Sequence, residues 1–238
     1  MKQQEIQALK GQEILARPAN QLLNDFGAGR ASPGSGSAAA LLGLLASKMI
    51  ITVCDISLRK SECSKFHKEF SFVLSRVKEE IEPKLRDLFE KDARDFETVV
   101  NLRVLRDKSV DANERSKFAR ESLDLLQVAT DYTFEVAESS LSLMEYGVTM
   151  FEHGWHAIRG DSGVAISAAM SGVMSSIFII HLNLKTLRRR NYSKENLNRI
   201  RTLQSRLEEL QTKAFSCVTY ISSESLESIQ SMQLELSE

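Results

Sequence analysis

Along most of this chain apolar residues recur every three or four positions, the period of an α-helix with one buried face. Phe66, Phe70, Val73, Val77 and Ile81 mark one such helix within 61–81, which Pro83 is expected to end. Leu85, Leu88, Phe89, Phe96, Val99 and Val100 mark the next, and Ser109 to Asn113 reads as a turn. Two more helices are expected, over about 113–131 and 133–151, before the glycine-containing runs 153–156 and 159–163 interrupt the pattern. Near the C-terminus Ile200, Leu203, Leu207, Leu210, Ala214, Cys217 and Ile221 alternate three and four apart, a heptad seam for packing on the domain or on another chain. No stretch alternates with the period of a strand. The expected fold class is all-α, a multi-helix bundle.

The N-terminal third adds two short helices. One contains Ile6, Leu9, Ile14 and Leu15 and stops at Pro18; the other spans Asn20 to Phe26. Residues 32–49, SPGSGSAAALLGLLASKM, then read as a helix start, with Ser32 as cap and Pro33 in the first turn, continuing to about Ser57. Gly36, Ala40, Gly43 and Ser47 share one face of that helix, and Ala165, Ala169, Gly172 and Ser176 repeat the spacing later. Such faces let a neighbouring backbone come close. Residues 163–184 carry no formal charge and are long enough to cross a bilayer of about 30 Å. Their Ser and Ala content, His181 and Asn183 point instead to a central helix buried on all sides, and no membrane association is expected.

Composition narrows the function classes. Among 238 residues 42% are hydrophobic and 26% charged, with a net charge of −1, so no nucleic-acid partner is expected. Three cysteines without C-x-x-C spacing, and an N-terminus lacking a signal-type apolar run, suit a reducing cytoplasm. A single domain over 1–238 is expected, with 191–238 its C-terminal helix. The GSGS run has the spacing of neither a dinucleotide fingerprint nor a P-loop. His153 and His156 have ligand-like spacing, but Gly154 separates them and no third ligand is evident, so no metal is expected. Lys48 reads as a snorkelling side chain, and Arg188, Arg189 and Arg190 as a solvated helix end.

Three segments together resemble the cyclodeaminase/cyclohydrolase family, that is, the cyclodeaminase domain of formiminotransferase-cyclodeaminase and the stand-alone methenyltetrahydrofolate cyclohydrolases. The family's P-G-G-G-S stands here as Pro33-Gly34-Ser35-Gly36-Ser37, and its D-A-x-A-F as Asp92-Ala93-Arg94-Asp95-Phe96. Its G-N…S-D…V-A-A run and late N-L are matched by Gly154-Trp155, Gly160-Asp161, Val164-Ala165, Gly172 and Asn183-Leu184. The order holds over residues 22–187. Ser35, Trp155, Gly160 and Ile179 depart from the family pattern, and these departures bear on activity more than on fold.

The resemblance implies an all-helical homodimer that binds a reduced folate. It also implies closure of the formimino form with loss of ammonia, or hydration of the methenyl form, without a cofactor. A stand-alone cyclohydrolase is the favoured reading, since the formiminotransferase domain has no room in this chain. Hydrolysis of an amidinium cation needs a carboxylate to hold charge, a base for water and an acid for the leaving nitrogen. Asp161 and Asp92 are the catalytic candidates; a helix cap is the alternative explanation for Asp161, and a solvated helix-face charge for Asp92. Pro33, Gly34, Ser35, Gly36, Ser37 and Asn183 are the substrate-binding candidates. The alternative is a non-catalytic helical homodimer that keeps the fold as a binding or scaffold protein.

Overall fold

The computed structural model describes residues 13–235, and among them there is no strand. The helix expected from Ile6 lies largely outside those residues. Its described end, Ile14–Ala16, is one 3-10 turn, fastened by the Leu15 N–H to the Glu90 carboxylate at 2.8 Å. Helix α1 spans Ala19–Phe26. Its buried Asp25 accepts from Arg17, Gln21 and Arg30 at 2.6, 3.0 and 2.9 Å, bracing the loop that follows. Burial pushes the Asp25 carboxyl up, but these donors outweigh it and hold its pKa below the ordinary value.

Helix α2 spans Ser35–Ser57 and starts two residues later than expected. Pro33 is buried in the preceding loop. Gly34 takes the cap position, while the Ser32 hydroxyl donates to the Ala93 carbonyl at 2.7 Å, a tertiary tie in place of a local cap. After a 3-10 turn, α3 (His67–Arg76) runs through a π-helical turn, Val77–Ile81, directly into α4 (Glu82–Lys108). Pro83 therefore does not end a helix. It sits in the first turn of α4, where the π turn has already broken the regular hydrogen-bond ladder.

The two helices expected over 113–151 are one, α5, Ala112–His153. No proline or glycine interrupts it near the expected break. Thr130 and Thr133 instead turn their hydroxyls back onto the carbonyls of Leu126 and Ala129. A 3-10 turn at His156–Ile158 leads into α6 (Arg159–Thr186), then the short α7 (Asn191–Glu195) and the long α8 (Leu197–Glu235).

Helices α2 and α6 lie antiparallel in the middle of the bundle, with α5 across both. The two small-residue faces meet there: a Cβ built at Gly43 would stand 3.1 Å from the Ser140 hydroxyl of α5, and one at Gly172 2.9 Å from it. That close approach is what offsets glycine's cost of about 1 kcal/mol inside a helix. Ser47 and Ser176 satisfy their buried hydroxyls on the carbonyls four residues back, at 3.0 and 2.8 Å. Around this seam Ile50, Phe70, Leu85, Phe89, Phe134, Leu141, Met144 and Ile180 form the core.

Helices Ser35–Ser57 and His156–Thr186 are long and apolar enough to cross a membrane, but 56% and 50% of their apolar windows are buried inside the bundle. The second is not buried on all sides as expected. Val164, Met174, Phe178 and Leu182 are exposed along α6. The C-terminal seam is buried against this subunit's own α5 and α6 from Ile200 to Cys217, after which Ile221, Leu226 and Ile229 are exposed.

Candidate active site

The start of α2 meets the middle of α4 at one buried carboxylate. Ser37 donates its hydroxyl to Asp92 Oδ2 at 2.9 Å, and its backbone N–H also bonds the carboxylate. Gly36 makes room: a Cβ there would lie 2.2 Å from Asp92 Oδ1, so any side chain would drive the carboxylate out. Gly34 is needed for a different reason, because a Cβ would come within 2.9 Å of the Ala31 carbonyl oxygen. The Ser32–Ala93 bond completes the junction by tying the loop to the residue after Asp92.

Burial pushes the Asp92 carboxyl above its ordinary pKa, and the negative Asp95 adds to the effect. The two bonds from Ser37 favour the charged form but do not overcome burial. Asp95 is itself held, accepting from the Tyr132 hydroxyl at 3.0 Å and from Arg94 at 2.8 Å. Burial and that bond push the Tyr132 hydroxyl up to about 12. The arrangement is a carboxyl that keeps a proton longer than an exposed one, fixed at a helix start whose free N–H groups attract anionic or polar groups.

The remaining candidates lie elsewhere. Ser35 is exposed on the first turn of α2. Asp161 is in the first turn of α6, half-buried, with no side-chain partner among the described residues. It is not a cap, since Ile158 holds that position. Ala39 faces Gly172 across the α2–α6 seam, whereas Val53 faces Gly154. At 1.5 Å per helical residue, Asp161 therefore stands about 20 Å along the bundle from Asp92. The structure does not bring these two carboxylates together within one chain. Asn183 is half-buried near the end of α6, at the same end of the bundle as Asp92 but about 12 Å beyond Gly36 by the same rise.

Sequence reading missed the roles of Ser32, Asp95 and Tyr132. Nothing local signals the Ser32–Ala93 and Asp95–Tyr132 bonds, which join residues 61 and 37 apart. Other side chains singled out in the sequence have structural partners. Lys48 pairs with Glu82 at 2.6 Å, the His153 ring stacks on Phe66 with centroids 4.1 Å apart, and Arg190 reaches Asp124 and Gln127. Among the described residues no three His, Cys, Asp or Glu side chains are grouped to hold a metal ion.

Residues 18–202 match the formiminotransferase-cyclodeaminase family over more than half of the chain. The chain belongs to this family. A methenyltetrahydrofolate cyclohydrolase from Methylorubrum extorquens is 24% identical over 203 residues, covering 84% of this chain and 96% of that protein. The crystal structure of a formiminotetrahydrofolate cyclodeaminase from Thermotoga maritima superposes with a TM-score of 0.76 at 17% identity, over 88% of this chain and all of the other, and shows the shared fold.

Within this formiminotransferase-cyclodeaminase family member, the residues that depart from the family pattern are not the ones that bond Asp92. Ser35 is exposed on the first turn of α2. Trp155 closes the corner between α5 and α6, donating its backbone N–H to the Ser57 hydroxyl at 3.0 Å, with the Lys60 ammonium 3.7 Å from its ring centre. Gly160 has open space where a Cβ would stand.

Proposed function

We propose that this family member is a reduced-folate one-carbon enzyme, a methenyltetrahydrofolate cyclohydrolase, with formiminotetrahydrofolate cyclodeaminase activity as the close variant. The observation that carries this reading is Asp92: a carboxyl buried at a helix start, raised in pKa, and seated on Gly36 and Ser37. In the proposed reaction, water adds to the amidinium carbon and a carbon–nitrogen bond then breaks. A second carboxylate, Asp161, takes one proton from the attacking water, Asp92 gives its proton to the leaving nitrogen, and the remaining hydroxyl proton returns to the Asp92 carboxylate as the formyl carbonyl forms. Protons come from side chains, so the step as drawn uses no cofactor.

One chain holds these carboxylates about 20 Å apart, so the proposal includes a homodimer whose second copy supplies Asp161. The exposed Val164, Met174, Phe178 and Leu182 along α6 support that placement. The test is the loss of methenyltetrahydrofolate absorbance with purified protein, comparing wild type with Asp92→Asn and Asp161→Ala. Both variants are expected to lose at least a hundred-fold in kcat/KM. Wild type running at the buffer rate while still binding a folate analogue would support the scaffold reading instead; neither turnover nor binding would end the folate assignment.

A further inference from the structure

A cavity lies at the other end of α6 from the chain's own Asp92 junction. The end of α5, the first half of α6 and the outer part of α8 line a half-open cavity of about 370 Å³. At the ~30 Å³ a water molecule takes in the liquid, that is room for about a dozen non-hydrogen atoms. Ile166, Met170, Val218 and Ile221 make most of it apolar.

One end differs. Arg159 lines the cavity beside the first turn of α6, with His156 next to it. The guanidinium sits near the rings of Phe151 and Tyr220 and pairs with Glu224 of α8 through one terminal nitrogen at 2.8 Å. Its buried Nε–H has no acceptor among the described residues, so the group is incompletely paired. Gly160 and Gly163 also line the cavity, and no atom of the chain lies within 4 Å of a Cβ built at either. Two glycines in the opening turns weaken the helix, and here no packing requires them. They leave the helix start, with its partial positive charge, open to the cavity.

From these observations we propose that this cavity binds a linear monocarboxylate of about ten carbons. Its chain lies along the apolar wall, and its head group meets Arg159 and the start of α6. A carboxylate suits this end because it accepts two bonds from a guanidinium and is drawn to a helix N-terminus.

Titration of the whole protein with decanoate tests this, read by the fluorescence of Trp155, the chain's single tryptophan and the neighbour of His156. Saturable binding is expected, with methyl decanoate at least ten-fold weaker. Arg159→Gln should weaken decanoate at least ten-fold. Glu224→Gln, which removes the competing carboxylate, should tighten it. Gly163→Val should abolish binding by filling the cavity, with the circular dichroism of each variant checked for a retained fold. Equal binding of the methyl ester, or indifference to both Arg159→Gln and Glu224→Gln, would overturn the proposal. Displacement by a folate would assign the cavity to folate instead, and binding confined to concentrations where the chain is monomeric would give it to a second copy; either result overturns it too.

Discussion

Asp92 sits where burial disfavours its charge, yet two bonds from Ser37 hold it in place. A carboxyl raised in the folded state binds its proton more tightly there than in the unfolded chain. Its contribution to stability is therefore full below the ordinary pKa of 3.8 and lost as pH rises through its folded value. Asp92→Asn keeps the shape and removes that loss. At neutral pH its thermal midpoint should equal or exceed that of wild type while activity falls at least a hundred-fold, a separation that scanning calorimetry and the folate assay would check together. The proposed acid role of Asp92 also predicts that wild-type kcat/KM declines as pH rises through its pKa, a limb measurable in a pH–rate series. At Gly36 two effects oppose each other. Alanine gains about 1 kcal/mol in helix propensity, but a Cβ 2.2 Å from the carboxylate forces a shift, and overpacking costs about 1–3 kcal/mol. The clash should win, and urea unfolding of Gly36→Ala should show net destabilisation.

At the scale of helices, periodicity made most of the fold legible. The seam from Ile200 to Cys217 and the small faces of α2 and α6 are where their spacing puts them, because burial on one side of a helix leaves a 3.6-residue mark. The misreadings have a common cause. Pro83 and the polar residues around Asp131 read as boundaries in the sequence, but helix continues through both, across a π turn before Pro83 and past back-bonded threonines near Asp131. The candidate site was legible only in part. Its motif residues stood out through family resemblance, while the Ser32–Ala93 and Tyr132–Asp95 bonds depend on chain reversals that local sequence does not encode. Helix α8 supplies a test of how burial is divided. Deleting residues 222–238 removes side chains that are exposed over 222–232 and the Arg159–Glu224 pair, exposed on the Glu224 side, of a kind worth about 0.2–1 kcal/mol. Its thermal midpoint should shift by only about a few degrees. Deletion from 197 onward also uncovers the partners of Ile200, Leu203, Leu207 and Leu210, each worth about 1.5–3 kcal/mol. That loss is comparable to a domain's whole stability of about 5–15 kcal/mol, and circular dichroism should report an unfolded or aggregated chain.

For the whole molecule, the decisive quantity is the separation of Asp92 and Asp161, about 20 Å along antiparallel helices. A two-fold pairing of α6 with itself, centred between Ser167 and Ser171, would set the second copy's Asp161 level with Gly36, because antiparallel pairing exchanges the two ends of the helix. The exposed Val164 and Met174 lie to either side of that centre, with Phe178 and Leu182 beyond Met174. Two measurements follow from this geometry. On the proposed pairing, Phe178→Glu would place a charge in the interface and should leave a folded monomer by analytical ultracentrifugation, with activity falling in step with dissociation. Subunit mixing is the sharper test. Asp92→Asn and Asp161→Ala dimers are each inactive on this reading, but after dissociation and random reassociation about half of the dimers are mixed, each with one intact site, restoring about a quarter of wild-type activity. If both carboxylates of one chain served the same site, every site in the mixture would lack one of them, and no activity would return.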